Sequence, residues 1–271
     1  MAVVIEPTRG LKRLRLRELW DSRELLGFLV WRDIKVRYKQ TAFGIAWAVV
    51  QPLLLMVVFT AILHRFHGLA PGGIPYALFV YSGLVPWTFF SQALSTTSQS
   101  LVTNSQLVSK IYFPRLIVPI AGIGSYLMDF AISFLLLIVL MAHYGVHPTA
   151  HLVFLPVFVL FALVTLFAVG LLLAALNVRY RDVKYAVTSM IQVWMFLSPV
   201  VYDASKIVHG PLRVLYALNP MAGVIEGFRW SLFGGTPPSA TVLVSASVTL
   251  LLLAGSVSYF QKVERSFADV I

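Results

Sequence analysis

Few side chains in this sequence could do chemistry, and those that could sit inside apolar surroundings. Asp129 is the one acid in the long apolar run from Leu116 to Ala142. An acid at membrane depth costs roughly 2.5–3.5 kcal/mol on insertion scales, so it marks either a functional group or one held by neighbours. Ser125, Tyr126 and Ser133 are near enough in sequence to hold it. Glu226 and Arg229 stand three apart, adjacent on a helix and spaced to pair. His143, His147 and His151 recur every four residues, but Gly145 and Pro148 interrupt any helix through them and no carboxylate lies nearby. A zinc site is therefore disfavoured, and plain surface histidines are the expectation. No nucleophile-plus-base motif stands out, and the G-x-x-x-x-G-K-[ST] phosphate loop is absent, so ATP is not bound in that way.

What must position these groups is a membrane domain. Hydrophobic residues make up 59% of the 271, charged residues 12%, and mean hydropathy is +0.84. Soluble domains run near 45–50% apolar and about 25% charged. There is no cysteine, which removes disulfide and thiol chemistry. The first residues lack an apolar core followed by a small-residue cleavage site, so no signal peptide is expected.

The expected fold is an all-α membrane protein with six transmembrane helices. Residues 1–43 form a cytoplasmic segment, basic at first and then amphipathic from Glu18 to Lys39. Trp20 and Trp31 with interspersed Lys and Arg suit a helix lying in the membrane interface. The six-span domain is 44–260. Its spans are Gly44–Leu63, with Pro52 inside; Ile74–Leu94; Leu116–Ala142; Leu152–Leu176; Tyr185–Val201, ending at Ser198-Pro199; and Ala240–Phe260. A tail follows at 261–271. Lys and Arg number 17 on the side of the termini and four on the other, which makes both termini cytoplasmic. The net charge of +10 therefore reads as membrane orientation, not nucleic-acid binding.

Between the last two spans lies Pro211–Gly234, too apolar for a loop and cut by Asn219-Pro220, where proline lacks a donor. Two readings stand: a re-entrant pair of short helices on the outer side, and an amphipathic loop on the surface. Irregular backbone at depth requires cover from protein or a water-filled cavity.

Two further constellations carry recognition potential. Lys110, Ile111, Tyr112, Phe113 and Arg115 close the cytoplasmic segment Ser95–Arg115, which is expected to lie along the membrane face. Apolar side chains flanked by charge suit a docking site, or anchor in the interface. Tyr81, Trp87, Phe89, Phe90, Trp194, Phe196, Tyr202 and Trp230 are aromatics that could stack on sugar rings in a channel; each alone is equally a packing residue.

In order and spacing, these pieces resemble the membrane permease subunit of an ABC exporter for lipid-linked polysaccharide, of the O-antigen, capsule and teichoic-acid type. The matching residues are Val36-Arg37-Tyr38-Lys39 with Gly44, Trp47 and Pro52; Gly83 to Trp87; Asn104 through Lys110 to Phe113-Pro114-Arg115; Leu176-Asn177 with Arg181-Asp182-Val183; Trp194 with Ser198-Pro199 and Tyr202; and Asn219-Pro220 with Glu226 to Arg229. Phe43 departs from the pattern, standing where an aliphatic residue is expected. The resemblance implies a homodimer in the bacterial cytoplasmic (inner) membrane, with two copies of a nucleotide-binding ATPase subunit that hold the ATP and Mg2+. It implies no enzyme activity and no cofactor in this chain. The N-terminal helix and Ser95–Arg115 would transmit motion, and Asn219, Pro220, Glu226 and Arg229 would form an outer gate. Arg32, Lys35, Arg37 and Lys39 would contact the pyrophosphate of an undecaprenyl-type carrier at the inner leaflet. A drug or small-lipid exporter of the same architecture, a stand-alone secondary transporter and a membrane-embedded transferase are the alternatives. Sparse intramembrane charge and the lack of an inverted repeat count against the second, and the lack of clustered acids or histidines near a phosphate site counts against the third.

Overall fold

The computed structural model describes residues 16–39, 44, 46–63, 73–204, 212–238, 240–264 and 267. The basic run at residues 9–15, together with His64, His67, His209 and Pro211, lies outside them. The described residues are helical, with no strand among them. In chain order the helices are α1 (Leu16–Asp21), α2 (Arg23–Lys39), α3 (Ala46–Leu63), α4 (Tyr76–Thr103), α5 (Ser105–Lys110), α6 (Ile117–Gly124), α7 (Leu127–His143), a 3-10 turn (Ala150–Phe154), α8 (Leu155–Arg179), α9 (Val183–Phe196), α10 (Leu212–Ala217), α11 (Pro220–Phe233) and α12 (Thr241–Val263).

Everything is assembled around α4. It packs against α3, α6, α7, α8, α9 and α11. Its most apolar stretch is 83% buried, against 11–28% for the other long helices. That helix is also the one richest in serine and threonine. Buried hydroxyls are best tolerated when bonded, and several here turn back on their own helix: Ser82 donates to the Phe79 carbonyl at 2.7 Å, Thr88 to Leu84 at 2.8 Å and Ser100 to Thr97 at 2.7 Å, while Thr97 Oγ1 is buried without a partner. This self-satisfaction carries the helix on to Thr103. Ser95–Thr103 is therefore the last part of a buried membrane helix, not the start of a separate surface segment as its polar sequence suggests.

Among the described residues, five helical stretches are long and apolar enough to cross a membrane: Ala46–Leu63, Tyr76–Thr103, Ile117–His143, Ala150–Arg179 and Thr241–Val263. The expected fifth span is shorter, since α9 has 14 residues and stops before Ser198-Pro199. The third is two helices, interrupted at Ser125-Tyr126.

The core divides along the helix axes. At one end, here called basal, Leu29, Leu101, Phe113, Ile117, Val178, Phe260 and Phe267 pack together. The middle holds Leu84, Phe90, Leu166 and Ile225. The other, apical end holds Leu78, Tyr81, Leu137, Met141 and Leu232. The C-terminal ends of both α8 and α12 fall in the basal cluster, and Thr165 meets Thr249 by a 3.1 Å hydroxyl contact midway. These two helices are therefore parallel. The intervening chain therefore has to return from the basal to the apical end.

The N-terminal helix is less simply amphipathic than its pattern suggests. Leu29 is buried, while Leu25, Leu26 and Val30 pack inward against the basal cluster. Phe28, Trp31 and Val36 are exposed on the outside. The helix thus has two apolar faces, one for the protein and one left open.

Candidate functional site

At the interruption between α6 and α7, Ser125 and Tyr126 present a carbonyl, a hydroxyl and a ring to α2. Arg37 fills this notch. Its guanidinium donates to Asp129 Oδ2 at 2.9 Å, to Ser125 Oγ at 3.0 Å and to the Ser125 carbonyl at 3.2 Å, and it lies 3.6 Å over the Tyr126 ring. Tyr126 in turn meets Thr96 of α4, hydroxyl to hydroxyl, at 2.7 Å. Asp129 is thus held by a cation 92 residues away, not by the sequence neighbours expected to hold it. Ser133 is directed elsewhere and donates to the Ala48 carbonyl at 2.9 Å. Asp129 Oδ1 stays buried without a hydrogen bond.

The rest of the basic series divides. Arg32 donates from Nε and Nη2 to one oxygen of Asp33, Oδ1, and reaches Asn104 Oδ1 at the end of α4, at 2.9 Å. Lys35 lies 5.2 Å over Trp31. Lys39 is exposed at the end of the helix. Two of the four cations are therefore engaged with protein, and both lysines are open.

The expected docking segment also divides. Tyr112 is 99% exposed, and Lys110 and Ile111 are exposed beside it. Phe113 turns in, joining the basal cluster, and Arg115 donates to the Glu264 carbonyl at the end of α12. Extended backbone at Ile111 (φ −122°, ψ 137°) ends α5 and lifts these three residues clear.

Beside the middle cluster, α10 and α11 meet at Asn219. Proline at the first helical position is pre-set for a helix start, and asparagine before it is a favoured cap. The Asn219 side chain accepts from the Met221 amide at 3.0 Å and from Trp194 Nε1 at 2.7 Å. Its amide donates to Ser198 Oγ at 2.9 Å and to the Leu197 carbonyl at 3.0 Å. One side chain thus ties the hairpin turn to the end of α9. From this turn α11 rises past Ile225 in the middle cluster to Leu232 in the apical one, where the Leu232 carbonyl accepts from Thr149.

Arg229 does not pair with Glu226 as their spacing suggests. It is buried and donates to the carbonyls of Pro199 (2.5 Å), Val200 (2.6 Å) and Phe79 (3.0 Å), with its guanidinium 3.6 Å over the Phe79 ring. The turn after Ser198-Pro199 leaves carbonyls without helical partners, and a forked five-donor side chain is suited to collecting them. Glu226 instead lies by Arg213 and Tyr216 in a small cleft. Burial pushes its carboxyl above the usual range, opposed by Arg213 and Arg229. Two glycines permit this packing. A Cβ at Gly83 would fall 2.5 Å from the Val200 carbonyl, and one at Gly227 would enter the Phe158 ring.

The aromatics do not form one lining within the chain. Tyr81, Trp87, Phe89 and Phe90 are buried in the core. Trp194 stands edge-on to Phe90 at 5.1 Å, and Tyr202 meets the Tyr216 hydroxyl at 3.2 Å. Phe196 points outward. Trp230 sits with His151 and Phe154 at the apical end. His143 ends α7 while His151 lies in the 3-10 turn, so their regular spacing does not put them on one helix.

Sequence reasoning missed the partners of Arg37 and Arg229 and the hub role of Asn219. The first had a signal: an acid in an apolar run requires a cation, and the basic series of α2 was the nearest supply. The other two depend on where free carbonyls fall, which no local pattern marks.

Residues 24–233 match the ABC-2 type transporter family. The chain is 32% identical over 259 residues to the O-antigen export system permease protein RfbA of Myxococcus xanthus, covering 94% of this chain and 98% of the relative. It is 26% identical over 250 residues to the protein of the same name from Klebsiella pneumoniae, covering 92% and 95%. Similarity extends to the capsule polysaccharide export inner-membrane protein CtrC of Neisseria meningitidis, at 25% over 264 residues, covering 91% and 95%. With most of its length matched to one family, this chain belongs to the ABC-2 type transporters.

Proposed function

We propose that this protein is the permease subunit of an ATP-driven exporter that moves a lipid-linked polysaccharide of the O-antigen kind across the bacterial inner membrane. The observation that carries this reading is the near end-to-end similarity to permeases named for O-antigen and capsule export. In this reading the basal end is cytoplasmic, as the Lys and Arg distribution requires. The parallel course of α8 and α12 supports a sixth crossing through α9, with both termini on the cytoplasmic side. The hairpin α10–α11 then dips from the outer face to Asn219 and back, roofed by α9 and α12.

Hydrolysis belongs to a separate nucleotide-binding subunit, which holds ATP and Mg2+. Two copies serve a homodimer of this chain. Lys110, Ile111 and Tyr112 are the exposed contact for that subunit, while Phe113 and Arg115 anchor the contact to α12. Lys35, Lys39 and the free edge of Arg32 meet the carrier pyrophosphate; Arg37 positions their helix through Asp129. Asn219, Pro220 and Arg229 hold the outer hairpin as a gate.

The test is complementation. Expressed with its ATPase in a host lacking its own O-antigen permease, the wild-type chain restores surface glycan, and tagged protein retains a stoichiometric ATPase in mild detergent. A stable chain that retains no ATPase and restores no glycan overturns the proposal.

A further inference from the structure

The turn of the α10–α11 hairpin and the residues beside Tyr112 are gripped by the same helix. α12 runs for 23 residues without a proline. Near its start, Ser245 is buried and donates to the Ala217 carbonyl at 2.7 Å, at the hairpin turn. α11 comes so close there that a Cβ at Gly223 would fall 2.9 Å from the Ser245 Cβ. At the other end of α12, the Glu264 carbonyl accepts from Arg115, whose guanidinium lies 5.9 Å over the Phe267 ring. Phe267 is fully buried and stands edge-on to Phe260 at 5.3 Å, in the cluster that also takes Phe113. From Ser245 to Glu264 the axis runs about 28 Å.

A second connection runs through α4, which touches α11 and leads directly into α5. It is the poorer transmitter. Its most apolar stretch is 83% buried among six helices, and a close-packed core resists sliding. The corresponding stretch of α12 is 17% buried. The main partners of α12 are α8, α10 and α11, and Leu243, Leu250 and Leu251 are exposed on its outer side. It can therefore shift against few neighbours, while its ladder of backbone bonds keeps its length fixed. Both joints also end on backbone carbonyls, at Ala217 and Glu264, which cannot swing away as a side chain can.

We infer that α12 is the rod that carries ATPase-driven movement of the segment Lys110–Arg115 to the hairpin, with Phe267 and Ser245 as the positioning residues of its two joints. Displacement of Phe113 and Arg115 draws the end of α12 with them, and Ser245 passes the shift to Ala217. This rests on the export reading above, which supplies the ATPase and the moving hairpin, and adds the element that connects them.

The absence of cysteine allows a single reporter. Leu215→Cys, exposed on α10, is labelled with bimane, and the full chain is combined with its ATPase in lipid nanodiscs. The reading is the change in bimane emission when ATP and vanadate are added. Ser245→Ala and Phe267→Ala are each introduced separately. Ser256→Ala is the control: Ser256 is equally buried on α12, but its hydroxyl donates to the Leu253 carbonyl of its own helix and lies at neither joint. Both joint variants are expected to cut the emission change at least about threefold, the low end for one lost hydrogen bond. Ser245→Ala leaves hydrolysis running, and for Phe267→Ala the change is read per bound ATPase. Ser256→Ala should keep the full change. A folded joint variant that falls short of the threefold cut overturns the inference. So does an equal loss in Ser256→Ala, which would make the effect one of helix packing. Where Phe267→Ala does not fold, Ser245→Ala decides alone. A reporter chain that binds a hydrolysing ATPase and shows no emission change overturns the inference and leaves the export reading standing. A reporter chain that binds no ATPase sinks the export reading and the rod with it.

Discussion

Arg37 on α2 and Asp129 on α7 form an ion pair at 2.9 Å that ties the N-terminal helix to the interruption in the third membrane stretch. The pair links α2 to the core through Tyr126 and Thr96. Any tilt of α2 is therefore felt at α7. The pair is only partly buried, so removing one partner should cost less than the roughly 3–5 kcal/mol of a fully buried pair. Asp129→Ala and Arg37→Ala should each lower the thermal midpoint in detergent, and the double variant should lose less than the sum. Strict additivity would show that the two side chains act separately.

Asn219→Ala removes the α11 cap and the acceptor for Trp194 together. The cap alone is worth about 1 kcal/mol. We expect a loss above that, while Asn219→Asp, which keeps both acceptor roles, should retain more stability. Trp194 fluorescence should change in Asn219→Ala and stay close to wild type in Asn219→Asp.

Gly227→Ala drives a methyl into the Phe158 ring, and Gly83→Ala meets the Val200 backbone, which cannot swing aside. Both should reduce accumulation of folded protein, since overpacking costs about 1–3 kcal/mol. Gly255→Ala has open space around it and should be neutral or slightly stabilising by helix propensity. Folded yield by fluorescence-detected gel filtration ranks the three.

Tyr112→Ala and Phe113→Ala are neighbours with opposite expectations. Tyr112 contributes nothing to the fold, so its loss should leave the thermal midpoint unchanged and weaken ATPase retention. Phe113→Ala should destabilise by about 3 kcal/mol, the usual cost of emptying a buried phenylalanine site. A Tyr112 variant that keeps its full complement of ATPase would move the contact elsewhere.

Much of the architecture was legible in hydropathy. The first, third, fourth and last spans lie where runs of Leu, Val and Ile put them, because lipid-facing helices must be apolar along their length. The second misled at its end, since Ser95–Thr103 looks like surface until Ser98 and Ser100 are seen buried and bonded to their own helix. α9 misled in the other direction, its apolar run extending beyond the helix that Ser198-Pro199 allows. The site was legible as residue types but not as partners. Arg229 and Asn219 stood out because they break an apolar stretch. What they hold depends on carbonyls from α4 and from residues 197–202, brought together only by the tertiary fold.

The parallel course of α8 and α12 also bears on how the chain is made. α12 leaves the ribosome after the other described helices, and until it is inserted Thr165 lacks Thr249, and Ser245 cannot donate to the Ala217 carbonyl at the hairpin turn. Arg115, inserted far earlier, waits for the Glu264 carbonyl. The earlier helices thus enter the bilayer with an unfilled polar slot down one side. A nascent chain stalled before residue 241 should present that slot to the translocon and to quality-control proteases. Its closure by α12 is then the step that commits the subunit to assembly.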